Sequence, residues 1–435
     1  MRVACNDHMD KLIRPVRNVS GALRMPGDKS ISHRYAMLAG VARGKSRFEN
    51  FSTGQDCAST LRCLQDLGCT ITRDGAAVEV EALDGWKDPA APLDCGNSGS
   101  TMRMLAGLLA GRGVTCEMVG DGSLMKRPMA RIVEPLRKMG AEIAAGDSGK
   151  PPVRIAKSNG ALRSIDYEPP TPSAQVKSSL LFAGLFAEGT TTVRERVHTR
   201  DHGELALRAF GARVERTKDS VSIAGGQSLS AINAYVPGDV SSAAFFFAAS
   251  ALFPDSNLVL EGVGMNPTRA AILDVLTSFG AHVSVLNLEE QQAELIGTVK
   301  VTGGTLRGGK ISGAFSAQMI DELPLLAAIA PYTKEGIEIR DARELRVKES
   351  DRIAITAENL RRMGAEVEEF EDGMRVRGNS TLHGAELDSH GDHRIGMAFA
   401  IAGLRAQGDT LIRNADAVAV SFPEFWDYLD RVTGR

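Results

Sequence analysis

The sequence predicts an α/β (α+β) protein of two similar domains, each made of three repeat units packed around buried helices. Three observations carry that prediction. A short tag recurs at the ends of amphipathic helical patterns: LGCTI at 67–71, MGAEI at 139–143, FGARV at 210–214, FGAHV at 279–283 and MGAEV at 363–367. Successive tags lie about 70 to 85 residues apart, the period of a supersecondary repeat. Between tags runs a helix of small apolar residues that breaks into a β-rich stretch, in six copies from AMLAGVARGKSRFENF to AIAGLRAQGDTLIRNA. Each of these helices follows a small, polar entry: PGDKSIS (26–32), CGNSGST (95–101), TPSAQVKSS (171–179), PGDVSSA (237–243), AFSAQMIDELP (314–324) and SHGDHRIG (389–396).

Each element has a local cause. The tag glycine closes a helix in a left-handed cap, and the β-branched residue after it opens a strand. A helix that is apolar on all sides belongs in the interior. Each unit is therefore expected to pack one hidden helix, one exposed amphipathic helix and a few strands into a βαβ-type module. The entries offer Ser, Asp or Asn as helix caps. Residues 21–237 hold three units and residues 238–435 the other three, with the Pro237–Gly238 break between them. Residues 1–20 read as a strand-like lead-in.

A chain of 435 residues is too long for one ordinary core, in keeping with two domains. Its net charge of −3 argues against a general nucleic-acid binder and leaves room for small anionic ligands held by a local cationic cluster. No apolar run approaches the roughly 20 residues of a membrane helix, and the stretch from Ala243 to Phe253 stops at Pro254. The first residues lack an apolar signal core and contain Asp7 and Asp10, so a cytoplasmic protein is expected. Cys5, Cys57, Cys63, Cys69, Cys95 and Cys116 form no CxxC pair and read as free thiols.

The helix entries are where chemistry is expected. Backbone N–H groups at a helix start, aided by the helix dipole, favour an anion. Capping alone does not call for Lys29, Arg34, Arg103, Gln175, Lys177 and Arg394 just inside the entries. Arg127 precedes Pro128, read as a first helical residue, while Lys126 and Arg131 are assigned to solvent. The DCGNSGST entry lacks the GK[ST] ending of a nucleotide loop and suits close backbone approach to phosphate or carboxylate. Arg200 lies near the next amphipathic helix. The second half adds carboxylates. Asp321 stands at the edge of the apolar Leu325–Ile329 segment, where desolvation favours a general base. Glu349 and Lys348 fall beside Arg352 at helical spacing. Asp388, His390, Asp392 and His393 could suggest a metal, but the segment runs straight into a buried helix and supplies no clear open coordination site, so no metal is expected.

Taken in order, PGDKSISHR, GNSGSTMR, the KRP element, PSAQ, RVKESDR and GDHRIGMA resemble the 3-phosphoshikimate 1-carboxyvinyltransferases, the enolpyruvyl transferases of the shikimate pathway, over nearly the whole chain. That resemblance implies the enolpyruvyl transferase fold: two domains, each of three βαβαββ units around buried helices, an inside-out α/β barrel. It places residues 1–20 with the second domain and the active site in the inter-domain cleft. It implies transfer of the enolpyruvyl group of phosphoenolpyruvate to the 5-hydroxyl of shikimate 3-phosphate, with release of phosphate, by an enzyme that glyphosate targets. By similarity, Lys29, Ser30, Arg34, Ser173, Ala174, Gln175, Arg200, Asp321 and Lys348 hold shikimate 3-phosphate. Lys29, Gly99, Arg127, Gln175, Arg352 and Arg394 hold phosphoenolpyruvate. Asp321 acts as base, Glu349 as proton relay, and Lys29 as a third catalytic group. No metal or organic cofactor, nucleic acid or membrane is implied, and a monomer is expected. The chain departs from many members in having Ala174 for a second Ser, Met104 for Pro and Val420 for Lys. The related transferase acting on UDP-N-acetylglucosamine has Lys-Asn where this chain has Lys29-Ser30, and a Cys in the loop that here reads Asp121-Gly122-Ser123-Leu124-Met125.

Overall fold

The computed structural model describes residues 9–82 and 85–435; Cys5 and Asp7 lie outside the described residues. The chain forms two compact units. One spans Pro26–Pro237 together with Glu290–Leu295; the other takes the described residues up to Met25, Gly238–Glu289 and Ile296–Arg435.

Within a unit the modules repeat one strand pattern. Leu93–Asp94 runs parallel to Cys116–Val119, which pairs antiparallel with Val153–Ala156, which in turn pairs antiparallel with Glu142–Ala145. The same parallel, antiparallel, antiparallel order joins Asp166–Tyr167, Thr190–Arg194, Ser220–Ala224 and Val214–Arg216. It recurs in Gly309–Ile311, Ile337–Ile339, Gly373–Val376 and Val367–Phe370. A parallel pair needs a long crossover, and in each module a buried helix supplies it.

Two modules borrow their first strand from a distant part of the chain. Ser20–Arg24, which precedes the Lys29–Ala39 helix in sequence, pairs in parallel with Asn257–Gly264. The strand that completes the Lys29–Ala39 module is Asn233–Tyr235, parallel to Lys45–Glu49. The division of the chain therefore falls after Met25, not before Gly21, because the lead-in strand Ser20–Arg24 belongs to the sheet of the later unit. Lys11–Ile13 similarly adds an antiparallel strand to Thr410–Arg413.

The helices that follow the six entries are Lys29–Ala39, Gly99–Arg112, Ala174–Gly184, Val240–Ala251, Leu323–Ile329 and His393–Gly403, and most of their residues are buried. A helix start inside a protein leaves N–H groups that only protein atoms can satisfy. Five starts use the side chain of the capping residue: Asp28, Ser98, Ser173, Asp239 and Asp392. The sixth differs. The AFSAQMIDELP segment splits into a short helix, Ala314–Gln318, and the Leu323–Ile329 helix, whose capping position is Glu322 and carries no side-chain cap bond.

The tags close their helices by one mechanism. In all five, the glycine has positive φ: 104° at Gly68, 92° at Gly140, 93° at Gly211, 102° at Gly280 and 89° at Gly364. Paired backbone bonds reach back into the last turn, as in Gly140 N to Arg137 O at 2.9 Å and Ala141 N to Leu136 O at 3.0 Å. This is the Schellman arrangement, and the buried alanine or cysteine after each glycine seats the chain on the helix it leaves.

A Cβ added at Gly140 or Gly211 would meet nothing within 4 Å, so substitution there tests the backbone alone. Gly140→Ala and Gly211→Ala are each expected to cost about 1 kcal/mol and lower Tm by about 2–4 °C in a thermal melt. An unchanged Tm would contradict the cap assignment.

Candidate active site

In the Pro26–Pro237 unit, cations gather at three helix starts. Asp28 caps the first by accepting from Ile31 N at 2.9 Å, and Lys29 opens it. Lys29 Nζ pairs with Asp56 Oδ2 at 2.9 Å, the lysine side chain keeping 18% exposure. Ser30 is half-buried beside it. One turn on, Arg34 is buried, donating from Nη1 to Ser30 O at 2.8 Å and from Nη2 to Ser178 Oγ at 3.0 Å. Burial pulls the Arg34 guanidinium down to about 10, against the opposing pull of Glu204 and Asp28 and with a further push from Arg200. Arg200 itself is half-buried, two residues ahead of the His202–Ala209 helix.

The second start is the GNSGS turn. Ser98 caps the helix and Gly99 is its first residue. A Cβ on Gly99 would stand 2.9 Å from Arg103 Nη1 and 3.4 Å from Arg127 Nη1, so the two guanidiniums lie close over this glycine and a side chain there would displace Arg103. Arg127 is aimed by Asn97, donating from Nη2 to Asn97 Oδ1 at 2.7 Å and to Ser123 Oγ at 3.1 Å. At the third start Ser173 caps and Ala174 opens the helix. Gln175 bridges to the second: its Oε1 accepts from Arg103 Nη1 at 2.8 Å and its Nε2 donates to Ser100 Oγ at 2.8 Å.

In the other unit the chemistry centres on Arg352, of which 1% is exposed. Its guanidinium donates to Asp392 Oδ2 at 2.8 Å and Glu349 Oε2 at 2.7 Å, and reaches Asp321 Oδ1 at 3.4 Å. Burial opposes the charge, but these three carboxylates outweigh it and raise Arg352 above the ordinary arginine value. Asp392, though buried, is correspondingly held below the ordinary carboxylate value by Arg352. Lys348 Nζ also approaches Asp321 Oδ1, at 3.3 Å. Arg394 donates to the Asp321 backbone oxygen at 3.1 Å.

Several sequence expectations need correction. Lys177 is no ligand-facing cation: it is buried between Glu195 at 3.0 Å and Glu204 at 2.7 Å, a closed internal ion cluster. Arg127 does not stand at a helix start, because Leu124–Lys126 forms a 3-10 turn and the next helix begins only at Ala130. Lys126 is exposed but Arg131 is half-buried. Asp321 lies between two cations instead of against a purely apolar edge. Asp392 serves as helix cap and Arg352 partner, Asp388 accepts from Asn414 Nδ2, and no group of three or more potential metal ligands gathers among the described residues. Of the family departures, Met104 is fully buried, while Val420 ends the Ala415–Val420 turn and is half-buried.

Sequence reasoning missed Asp56, Asn97, Arg269 and Glu322. Glu322, 2% exposed, accepts from Arg269 Nη1 at 3.2 Å and from the Ser241 hydroxyl, and lies 3.9 Å from Arg394 Nη1. The first three are separated from their partners by tens of residues; Asn97 stood in the CGNSGST entry as a possible cap, and Asp56 and Arg269 carry no local signal. Glu322 had one, its place beside Asp321.

The fold is that of the enolpyruvyl transferases. The enolpyruvyl transferase NikO from Streptomyces tendae superposes with a TM-score of 0.80 at 21% identity, covering 97% of this chain and 96% of its own, a likeness that speaks to fold alone. The EPSP synthase from Acinetobacter baumannii superposes with a TM-score of 0.86 at 40% identity, over 97% of this chain and 98% of its own. A family model described as EPSP synthase (3-phosphoshikimate 1-carboxyvinyltransferase) matches residues 13–429. A relative from Koribacter versatilis named 3-phosphoshikimate 1-carboxyvinyltransferase is 58% identical over 97% of this chain and 99% of its own, and one of the same name from Solibacter usitatus is 52% identical over 98% and 100%. The chain belongs to the EPSP synthase family.

Two measurements test these networks. Asp392→Asn removes one counter-charge from buried Arg352 while Glu349 and Asp321 remain, and is expected to cost about 3 kcal/mol in urea unfolding; a cost under about 1 kcal/mol would mean that the other two carboxylates suffice. His202 is buried with Nδ1 2.6 Å from Glu294 Oε1. Burial works against its charge, but Glu294 prevails and raises the imidazole above 6.5. Its stabilising contribution is thus complete below that value and lost as pH rises through the raised one. Tm of the parent protein should fall more steeply as pH rises above about 6.5 than Tm of His202→Asn, and parallel slopes would contradict the charged pair.

Proposed function

We propose that this protein transfers the enolpyruvyl group of phosphoenolpyruvate to the 5-hydroxyl of shikimate 3-phosphate, releasing phosphate. The observation that carries the reading is the Arg352 guanidinium, which holds Asp321 and Glu349 together, at 3.4 and 2.7 Å. The names of the relatives support it, and 40–58% identity over nearly the whole chain favours it over transfer to UDP-N-acetylglucosamine.

The reaction adds a hydroxyl across a carbon–carbon double bond and then expels phosphate. In this reading Asp321 takes the proton from the attacking 5-hydroxyl, and Glu349 carries a proton to the methylene carbon, which becomes a methyl group in the tetrahedral adduct. Removal of a methyl proton as the C–O bond to phosphate breaks restores the double bond in the product. The cations carry the charge of the two substrates. Ser30, Arg34, Ser173, Arg200 and Lys348, with the backbone at Ala174, take shikimate 3-phosphate. Arg127, Arg352, Arg394 and the backbone at Gly99 take phosphoenolpyruvate, while Lys29 and Gln175 touch both. Both sets serve one substrate pair in the cleft of a two-domain enzyme. Arg34 binds in this scheme through a guanidinium already engaged by Ser30 O and Ser178, which makes it a rigid donor. The reading further makes the protein a monomeric, cytoplasmic shikimate-pathway enzyme and a glyphosate target.

Phosphate release by the purified protein should require both phosphoenolpyruvate and shikimate 3-phosphate; release with UDP-N-acetylglucosamine instead would reject the assignment. Asp321→Asn should lower kcat by about 100-fold or more with KM values changed only a few-fold. Equal losses in kcat and in both affinities would give Asp321 a binding role only.

A further inference from the structure

A buried hydrogen-bond chain in the Pro26–Pro237 unit joins two of its helix starts. His33 lies one turn after Lys29, on the same helix. Its Nδ1 is 2.7 Å from Thr60 Oγ1, Thr60 Oγ1 is 2.7 Å from Thr101 Oγ1, and Thr101 Oγ1 donates to Ser98 Oγ at 2.7 Å. Ser98 Oγ also accepts from Thr101 N at 3.0 Å, the bond that caps the helix starting at Gly99. All four residues are at most about 0% exposed, so water does not compete.

Counting protons gives the chain a direction. A hydroxyl has one hydrogen to donate. Thr101 spends its own on Ser98, so Thr60 must donate to Thr101, and the link from His33 must then be donated by Nδ1–H. The imidazole therefore carries a hydrogen on Nδ1. Burial, with Lys29 and Arg34 nearby, holds His33 well below its ordinary value, which favours the neutral ring with that one hydrogen. The other ring nitrogen, Nε2, is buried and has no hydrogen-bond partner.

We propose that His33, Thr60 and Thr101 are positioning residues for phosphoenolpyruvate: they fix Ser98, and through it the backbone at Gly99, relative to the helix that carries Lys29. The inference rests on the reading above that Gly99 and Lys29 take part in the phosphoenolpyruvate subsite. None of the three needs to touch substrate. Their effect is selective because the chain ends on Ser98, which caps the Gly99 helix start, whereas Ser30 and Arg34 on the His33 helix are held separately by the Asp28 cap and the Arg34 bonds to Ser30 O and Ser178.

Steady-state kinetics on Thr60→Val tests this. Valine keeps the shape of threonine and removes the hydroxyl that relays the bond. KM for phosphoenolpyruvate is expected to rise about 5- to 10-fold, the scale of one lost buried hydrogen bond. KM for shikimate 3-phosphate should stay within about twofold, and Thr60→Ser, which restores the hydroxyl, should return both to the parent values. Thr101→Val, which cuts the next link, should give the same selective defect and carries the test if Thr60→Val does not fold. Equal changes in the two KM values, no change in either, or a serine variant as impaired as the valine variant would overturn the proposal. A parent protein without activity on the two substrates would instead overturn the reading of function.

Discussion

The starts of the six mostly buried helices are the constraint on which this structure depends. Each start leaves several N–H groups without an intrahelical partner, and the more deeply it lies the more of them must find protein acceptors. Asp28, Ser98, Ser173, Asp239 and Asp392 meet part of that need. The partial positive charge that remains at each start is suited to anions. The cationic side chains follow the same logic, since a guanidinium that is to meet a phosphate in a low-dielectric site must be held in place beforehand. Asn97 holds Arg127, Gln175 holds Arg103, and the Asp392 and Glu349 carboxylates hold Arg352.

The two units use that plan differently. In the Pro26–Pro237 unit carboxylates also stand at the helix starts, Asp28 as a cap, Asp56 paired to Lys29, and Glu195 and Glu204 closed around Lys177, while Arg103 and Arg127 are held by the neutral groups of Gln175, Asn97 and Ser123. In the other unit every cation at the centre touches carboxylate: Lys348 and Arg352 touch Asp321, while Arg269 and Arg394 lie within reach of Glu322. Acidic groups weaken anion binding even where, like Asp392 and Glu349, they hold a cation in place, and carboxylates such as Asp321 and Glu349 are the groups that the proposed proton transfers would require.

Local features of the fold were legible in the sequence, and long-range ones were not. The tags announced their caps because a glycine after an amphipathic run is a local instruction, fulfilled within the six residues that close the turn. The buried helices were legible from their all-round apolarity. The exchange of Ser20–Arg24 and Asn233–Tyr235 was not, since strand pairing between segments so far apart in the chain leaves no mark in either segment. At the site, motif order identified the family, yet it could not say which way a side chain turns. Lys177 and Lys29 both stand at small polar helix entries; one turns inward to Glu195 and Glu204 and the other toward Asp56 with part of its surface exposed. The carboxylates that decide this come from other elements of the fold.

The proposed function requires that the cations named above and the carboxylates Asp321 and Glu349 serve two acidic metabolites that react together. The most direct measurement is a crystal structure grown in shikimate 3-phosphate and phosphoenolpyruvate, whose density would hold the pair or the adduct they form. The account predicts phosphate oxygens within hydrogen-bond distance of Lys29, Arg127, Arg352 and Arg394, and the shikimate 5-oxygen beside Asp321. Density for either metabolite at a place that touches none of these residues would contradict it.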